Sequence, residues 1–266
     1  MHAVPFEVTE RSLADLATRH QLQPAALAVG ETAPPAAFRP ATFRATRLLY
    51  PASMIKIPLV AAALLLAARG ELRAERVRIS AANLTQNDGP SPLLSGYEAT
   101  LDELCTLAIA RSDNVATNQL FDLLGRVRAS AIVRARLGLH DTGFRRKLSG
   151  GHPLLRDPDQ SGRNTFPASD AAVLLNLIAA RAFPGAGDLE RMLAAQEWNT
   201  KLSAGLRSGD AFAHKTGDTE SVSHDGGILT TAGGRKYIVV VYTGCPSSDA
   251  VDGRFAAFMR DLRRAL

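Results

Sequence analysis

The chain has 266 residues, of which 46% are hydrophobic, 21% charged and 6% aromatic, an ordinary globular composition with material for a sizeable core. Its formal net charge is +5, yet the basic residues are scattered apart from pairs such as Arg145-Arg146 and Arg263-Arg264. With few aromatics to stack on bases, this argues against a nucleic-acid partner. The longest uncharged apolar run, Ile57 to Ala68, ends at Arg69 after 12 residues. That is short of the roughly 20 a membrane span needs, so a buried helix is expected and no span.

Taken in chain order, Met1 to Glu7 has neither a basic n-region nor an apolar h-region, so no signal peptide is expected, and the compartment is cytoplasmic if Met1 is the native start. Residues 9–20 carry Leu13, Leu16 and Ala17 at helical spacing, with Thr9 or Ser12 as N-cap. Ala25 to Val29 and Arg47 to Tyr50 read as two strands of a hairpin with a Pro-rich connection. From Ser53 to about Leu193 the patterns are helical, interrupted at Asn87 to Gly96 and at Gly143 to Pro167. The second interruption is a long stretch without periodicity, which in a compact domain marks a functional or disordered loop.

After the amphipathic stretch Leu189 to Trp198, strands are expected at Ala211 to Thr216, Gly226 to Thr231 and Tyr237 to Thr243. The Ile238-Val239-Val240-Val241 run suits a strand buried on both faces. A helix from about Ser248 to Leu266 closes the chain. The expected fold is α/β, of the α+β type: one five-stranded antiparallel sheet built from both termini, flanked by helices, with an inserted all-α lobe. The expected organisation is a single domain, with a sheet lobe near 1–52 and 188–266 and a helical lobe near 53–187. The two cysteines, Cys105 and Cys245, form neither a disulfide framework nor a metal-ligand spacing and are expected to be free.

Three short motifs occur in order: Ser53-Met54-Ile55-Lys56, Ser112-Asp113-Asn114 and Lys215-Thr216-Gly217. A Ser-x-x-Lys alone arises by chance in a chain of this length, but the ordered trio does not. Ser53 opens a helical pattern, Ser112 closes one, and Lys215-Thr216-Gly217 ends a strand pattern. Ser53 and Lys56, three apart at a helix start, share a face and are expected to hydrogen-bond. A serine hydroxyl needs a neighbour to take its proton, and a desolvated lysine near other cations is neutral enough to do so. In this reading Ser112 relays a proton to the leaving group, Asn114 holds the substrate amide, and Asp113 braces the loop. Lys215 attracts a substrate carboxylate, while Thr216 and Gly217 border an edge on which an extended substrate pairs. The backbone N–H groups of Ser53 and Asp218 are the expected oxyanion hole.

With these motifs the chain resembles the class A serine β-lactamases, within the β-lactamase and penicillin-binding superfamily. The likeness extends to Ser53-Met54-Ile55-Lys56-Ile57-Pro58-Leu59, Leu101-Asp102-Glu103-Leu104-Cys105, Asn164-Thr165-Phe166-Pro167 and the Tyr237 to Thr243 strand. The resemblance implies a β-lactamase/transpeptidase-like fold and a small-molecule substrate, a β-lactam or an acyl-D-amino-acid-like amide or ester. No metal or organic cofactor is expected, and the chain is expected to be a monomer.

Two departures stand out. Family members carry Glu-x-x-Leu-Asn in the loop that deacylates the enzyme, but Phe144 to Asp157 contains no glutamate. The available bases are His152, Asp157 and Asp159, each read first as a surface-loop residue. His224 stands where many members place a carboxylate-binding arginine, and Lys201 or Arg207, read as surface residues, are the possible substitutes. The sequence therefore points to a serine hydrolase acylated on Ser53 with slow deacylation. Its alternatives are a D,D-peptidase or esterase of the penicillin-binding type and a non-turnover ligand-binding protein.

Overall fold

The structure, a computed structural model, describes residues 8–73 and 76–266; the leader reading of Met1 to Glu7 lies outside them. Helix α1 (Glu10–Arg19) starts at a capping box, in which the Thr9 hydroxyl accepts from Ser12 N while Ser12 Oγ accepts from Thr9 N. It buries Leu13, Leu16 and Ala17, the stripe that helical spacing predicts. Strands β1 (Ala25–Glu31) and β2 (Ala41–Phe43) follow and pair antiparallel, Leu27 opposite Phe43.

The second hairpin strand therefore lies earlier than Arg47 to Tyr50. Those residues form no strand, because Arg44 turns the chain at a φ of 50° and Leu48 is 62% exposed. An apolar run without a face to cover gains nothing from a ladder.

A 3₁₀ turn, Ala52–Ile55, leads into α2 (Lys56–Ala68), which is apolar on all sides and buries every residue from Lys56 to Ala63. A two-residue ribbon of β3 (Val77–Arg78) and β4 (Glu98–Ala99) precedes α3 (Leu101–Ala110), α4 (Asn114–Leu124) and α5 (Arg126–Leu137). After the long loop come α6 (Ala168–Ala179) and α7 (Ala186–Ala194), then β5 (Ala211–Asp218), β6 (Ser223–Thr230), β7 (Lys236–Thr243) and α8 (Asp249–Leu262).

The large sheet is antiparallel in the order β2-β1-β7-β6-β5, so both ends of the chain build it and β5 is an edge. Strand alternation divides the apolar residues between two cores. Ala26, Ala28, Ile228, Ile238, Val240 and Tyr242 face the helical layer around α2. Leu27, Val29, Leu229, Val239 and Val241 face α1 and α8, against Leu13, Phe255 and Phe258. With both faces covered, a one-residue slip of β7 would exchange Val239 and Val241 for bulkier Ile238 and Tyr242, so packing holds the register. Cys105 and Cys245 are buried and free, and burial pushes the Cys105 thiol up.

Candidate active site

The three motifs, far apart in sequence, meet at one cleft. Ser53 lies half-buried in the 3₁₀ turn before α2, Ser112 lies between α3 and α4, and Lys215 to Gly217 lie on the edge strand β5. Two residues here occupy the left-handed region without being glycine: Ala52 at a φ of 46° and Ser112 at 58°. Such backbone costs about 1–3 kcal/mol and persists where surrounding structure enforces it. One of them immediately precedes the candidate nucleophile and the other is a motif residue.

Lys56 is 0% exposed. Its Nζ donates to the Ser112 carbonyl, to Ser112 Oγ at 3.0 Å and to Asn114 Oδ1 at 2.9 Å. The expected Ser53–Lys56 hydrogen bond is absent among the described residues, and the Lys56 amine is engaged instead on the Ser112 and Asn114 side. Burial, reinforced by the Lys215 charge and opposed by Asp113 and Asp88, holds Lys56 well below the ordinary lysine range.

Asp113 caps α4 by accepting from Ala116 N at 2.8 Å, the bracing role expected of it. Asn114 is more engaged than its expected role implies, since its Nδ2 donates to the Gln86 carbonyl at 3.1 Å while its Oδ1 receives Lys56. Its amide nitrogen keeps one further proton to donate.

On β5, Lys215 is fully buried and donates to the Thr216 carbonyl at 2.9 Å. Burial lowers it to about 7, against the pull of Asp218. Gly217 has a packing reason: a Cβ there would lie 3.1 Å from the Pro51 carbonyl oxygen and 3.2 Å from Met54 N. Its missing side chain admits the Ser53 turn to the strand, a closer approach than the expected clearance for substrate. On the other face of β5, His214 Nδ1 meets Asp225 Oδ1 at 2.8 Å and its Nε2 meets Asn199 Oδ1 at 3.1 Å. Leu202 N donates to the second Asp225 oxygen, so a polar network whose His214 and Asp225 are fully buried backs the Lys215 strand.

Two expectations need correction. Lys201, expected at the surface, is 2% exposed; its Nζ holds both carboxylate oxygens of Asp218 and sits 5.5 Å from the centre of the Phe255 ring. A buried ammonium requires such a partner, so Lys201 and Asp218 largely neutralise each other. His224, expected to bind a substrate carboxylate, is 0% exposed. Its Nε2 lies 2.8 Å from the Tyr50 carbonyl, its Nδ1 accepts from Thr243 N, and its ring stacks on Tyr242. Burial lowers it to about 4, leaving a neutral strut without access to ligand. Arg207 is exposed, as read from the sequence.

Ser53, Ser112, Asp88 and Asp218 stand where two cavities meet, of about 410 and 630 Å³. The loop Gly143 to Pro167 walls the larger one and is tightly held. Gly143 and Thr165 exchange backbone hydrogen bonds, Asn164 Oδ1 receives Arg145 N and Arg146 N, and Asn118 bonds both backbone groups of Leu148. Asp157 pairs with Arg126 and accepts from Lys147 N at 2.8 Å. Burial works to raise its pKa, but these partners hold the carboxyl below the ordinary carboxylate range. Asp159 is exposed, and His152 is exposed on the rim of the larger cavity.

Sequence reasoning missed Asp88, Tyr50, Arg146 and the His214–Asp225–Asn199 network. A polar pair, His214-Lys215, inside an otherwise apolar strand pattern was the available signal for the last. Among the described residues, no group of three or more His, Cys, Asp or Glu is placed to hold a metal ion, and no helix is long and apolar enough to cross a membrane.

A model of the Beta-lactamase enzyme family matches residues 34–266. Among solved structures, PBP-A superposes over 99% of this chain and 98% of its own with a TM-score of 0.80, a likeness of fold at 23% identity. A beta-lactamase from Sphaerobacter thermophilus covers 95% of each chain at a TM-score of 0.79 and 26% identity. An ancestral class A beta-lactamase (GNCA) covers 97% of this chain and 99% of its own, at 0.78 and 26%. A search of the curated proteins finds no match.

Proposed function

The chain belongs to the beta-lactamase enzyme family, and from that premise we propose a serine hydrolase acylated on Ser53 by a β-lactam or a related acyl amide or ester, with deacylation as its slow half-reaction. The observation that carries this reading is Lys56: buried, shifted toward the neutral amine, and bonded to Ser112 Oγ beside Ser53. Ser53 Oγ attacks the carbonyl carbon as its proton passes to the Lys56 amine. The backbone N–H groups of Ser53 and Asp218 receive the oxyanion. As the carbon–nitrogen bond breaks, Ser112 gives its hydroxyl proton to the leaving nitrogen and Lys56 returns a proton to Ser112. The net result is an ester on Ser53, a protonated leaving group and a neutral Lys56.

Water must then cleave that ester, restoring the proton to Ser53 Oγ, and this step needs a base. Of the three candidates in the loop, Asp157 is occupied by Arg126, Asp159 is exposed with Arg126 at 3.6 Å, and His152 stands exposed on the outer rim of the cavity. Leu148, an apolar residue, lines the cavity wall. The same observation favours penicillin-binding behaviour, of the D,D-peptidase or esterase type, as the second reading.

Mixing the protein with a chromogenic cephalosporin, with intact mass measured afterwards, tests the proposal. A stoichiometric burst and a stable mass increase, both absent in Ser53→Ala, are expected. Sustained turnover without an adduct would refute slow deacylation. Neither burst nor adduct would remove β-lactams as substrates.

A further inference from the structure

Ser53 divides a cleft whose two ends differ in charge. On the loop side, the larger cavity is lined by Tyr50, Arg146, Arg163 and His152. Among the described residues, neither guanidinium makes an ion pair or a side-chain hydrogen bond, whereas neighbouring Arg145 spends its own on the Arg163 carbonyl and Thr165 Oγ1. Both charges act on Tyr50, so the three groups converge on one pocket. Asp88, Asp218 and Glu220 border the same cavity, and none of them pairs with either arginine. An arginine fork that faces a concave pocket unpaired is matched in shape and charge to a planar carboxylate.

The β5 side is unlike this. The smaller cavity is lined by Asp88, Asp218, Asp249 and Asp252, and the cation on its wall, Lys201, is already held by Asp218. Lys215 is buried behind this wall and is 0% exposed. An anion placed there meets like charge at short range, in a partly desolvated site where repulsion is little screened.

Resting on the acylation reading above, we propose that the acyl substrate of Ser53 carries a carboxylate that docks on Arg146, Arg163 and Tyr50, on the loop side of the nucleophile rather than against β5. The carboxylate-bearing half of the substrate thus lies along the loop, and the half along β5 is uncharged or cationic.

Three thioesters test this with the intact protein: the glutaryl thioester of 2-mercaptoethanol, the pentanoyl thioester of 3-mercaptopropionate, and the uncharged pentanoyl thioester of 2-mercaptoethanol. Ser53 acylation expels the thiol, which a chromogenic disulfide reports. One of the two anionic thioesters is expected to exceed the uncharged one in kcat/KM by about tenfold or more. That ratio should fall to about one in the double variant Arg146→Ala, Arg163→Ala. No advantage for either anion, or an advantage that survives the double substitution, overturns the proposal. If no thioester is cleaved, calorimetric titration of Ser53→Ala with the same compounds decides separately. Tighter binding of an anionic thioester, lost with the two arginines, upholds the carboxylate site even as the acylation reading fails, and equal binding of all three overturns it.

Discussion

The Ser53 turn with its β5 partner and the loop Gly143 to Pro167 wall the same cleft but treat their ionisable groups in opposite ways. In the first region Lys56 and Lys215 are fully buried, close enough to repel, and shifted down toward neutrality. In the loop, Asp157 is locked to Arg126 and Lys147 N and shifted down, so it stays an unprotonated, weakly basic carboxylate. Desolvation tunes a group for proton transfer near neutral pH, whereas pairing removes it from such service. The contrast is what supports the proposal of a site equipped to form an acyl-enzyme and poorly equipped to hydrolyse one.

Breaking the first region gives the largest effect. Lys56→Ala is expected to lower the acylation rate constant about 10³-fold, measured by stopped-flow with a chromogenic cephalosporin. Next, Asp225→Ala leaves His214 and Leu202 N without their acceptor in a buried network. A loss of about 3 kcal/mol in unfolding free energy is expected from denaturant titration; a change below about 0.5 kcal/mol would show that the network does not support β5.

The contrast is sharpened by giving the loop what it lacks. Leu148 lines the larger cavity and its backbone is fixed by Asn118. Leu148→Glu is expected to shorten the acyl-enzyme lifetime about tenfold or more, read as decay of the adduct mass. An unchanged lifetime would place the slow step elsewhere.

The last effect concerns pH. Lys215 titrates at about 7 in the folded protein against 10.5 as its ordinary value, so between these limits the unfolded chain binds more protons. Stability is therefore expected to rise with pH across that window, and Lys56 acts in the same direction. Lys215→Met should flatten that rise in melting temperature. An equally steep rise in the variant would assign it to other groups.

Much of this arrangement is legible in the sequence because it is local. The Ile57 to Ala68 run and Ile238 to Val241 declare buried elements through unbroken apolarity, and the three motifs declare the cleft. What stayed hidden depends on distant partners. β2 is three residues long and stands only because β1 supplies its ladder. The start of β6 carries Ser223, His224 and Asp225, whose polarity masks a strand that neighbours on both sides bury. Lys201 reads as a surface lysine until Asp218 and Phe255 are folded against it. The order in the long loop comes from Asn118, Arg126 and Asn164, whose partners no periodicity announces.

The central claim is that Ser53 takes the acyl group faster than the loop can release it. Rapid-quench mass spectrometry on one turnover of penicillin measures both steps at once. Acyl-enzyme should accumulate to near stoichiometry on the peptide carrying Ser53 and decay slowly. Penicilloate appearing without any acylated Ser53 peptide, or an adduct on another residue, would contradict it.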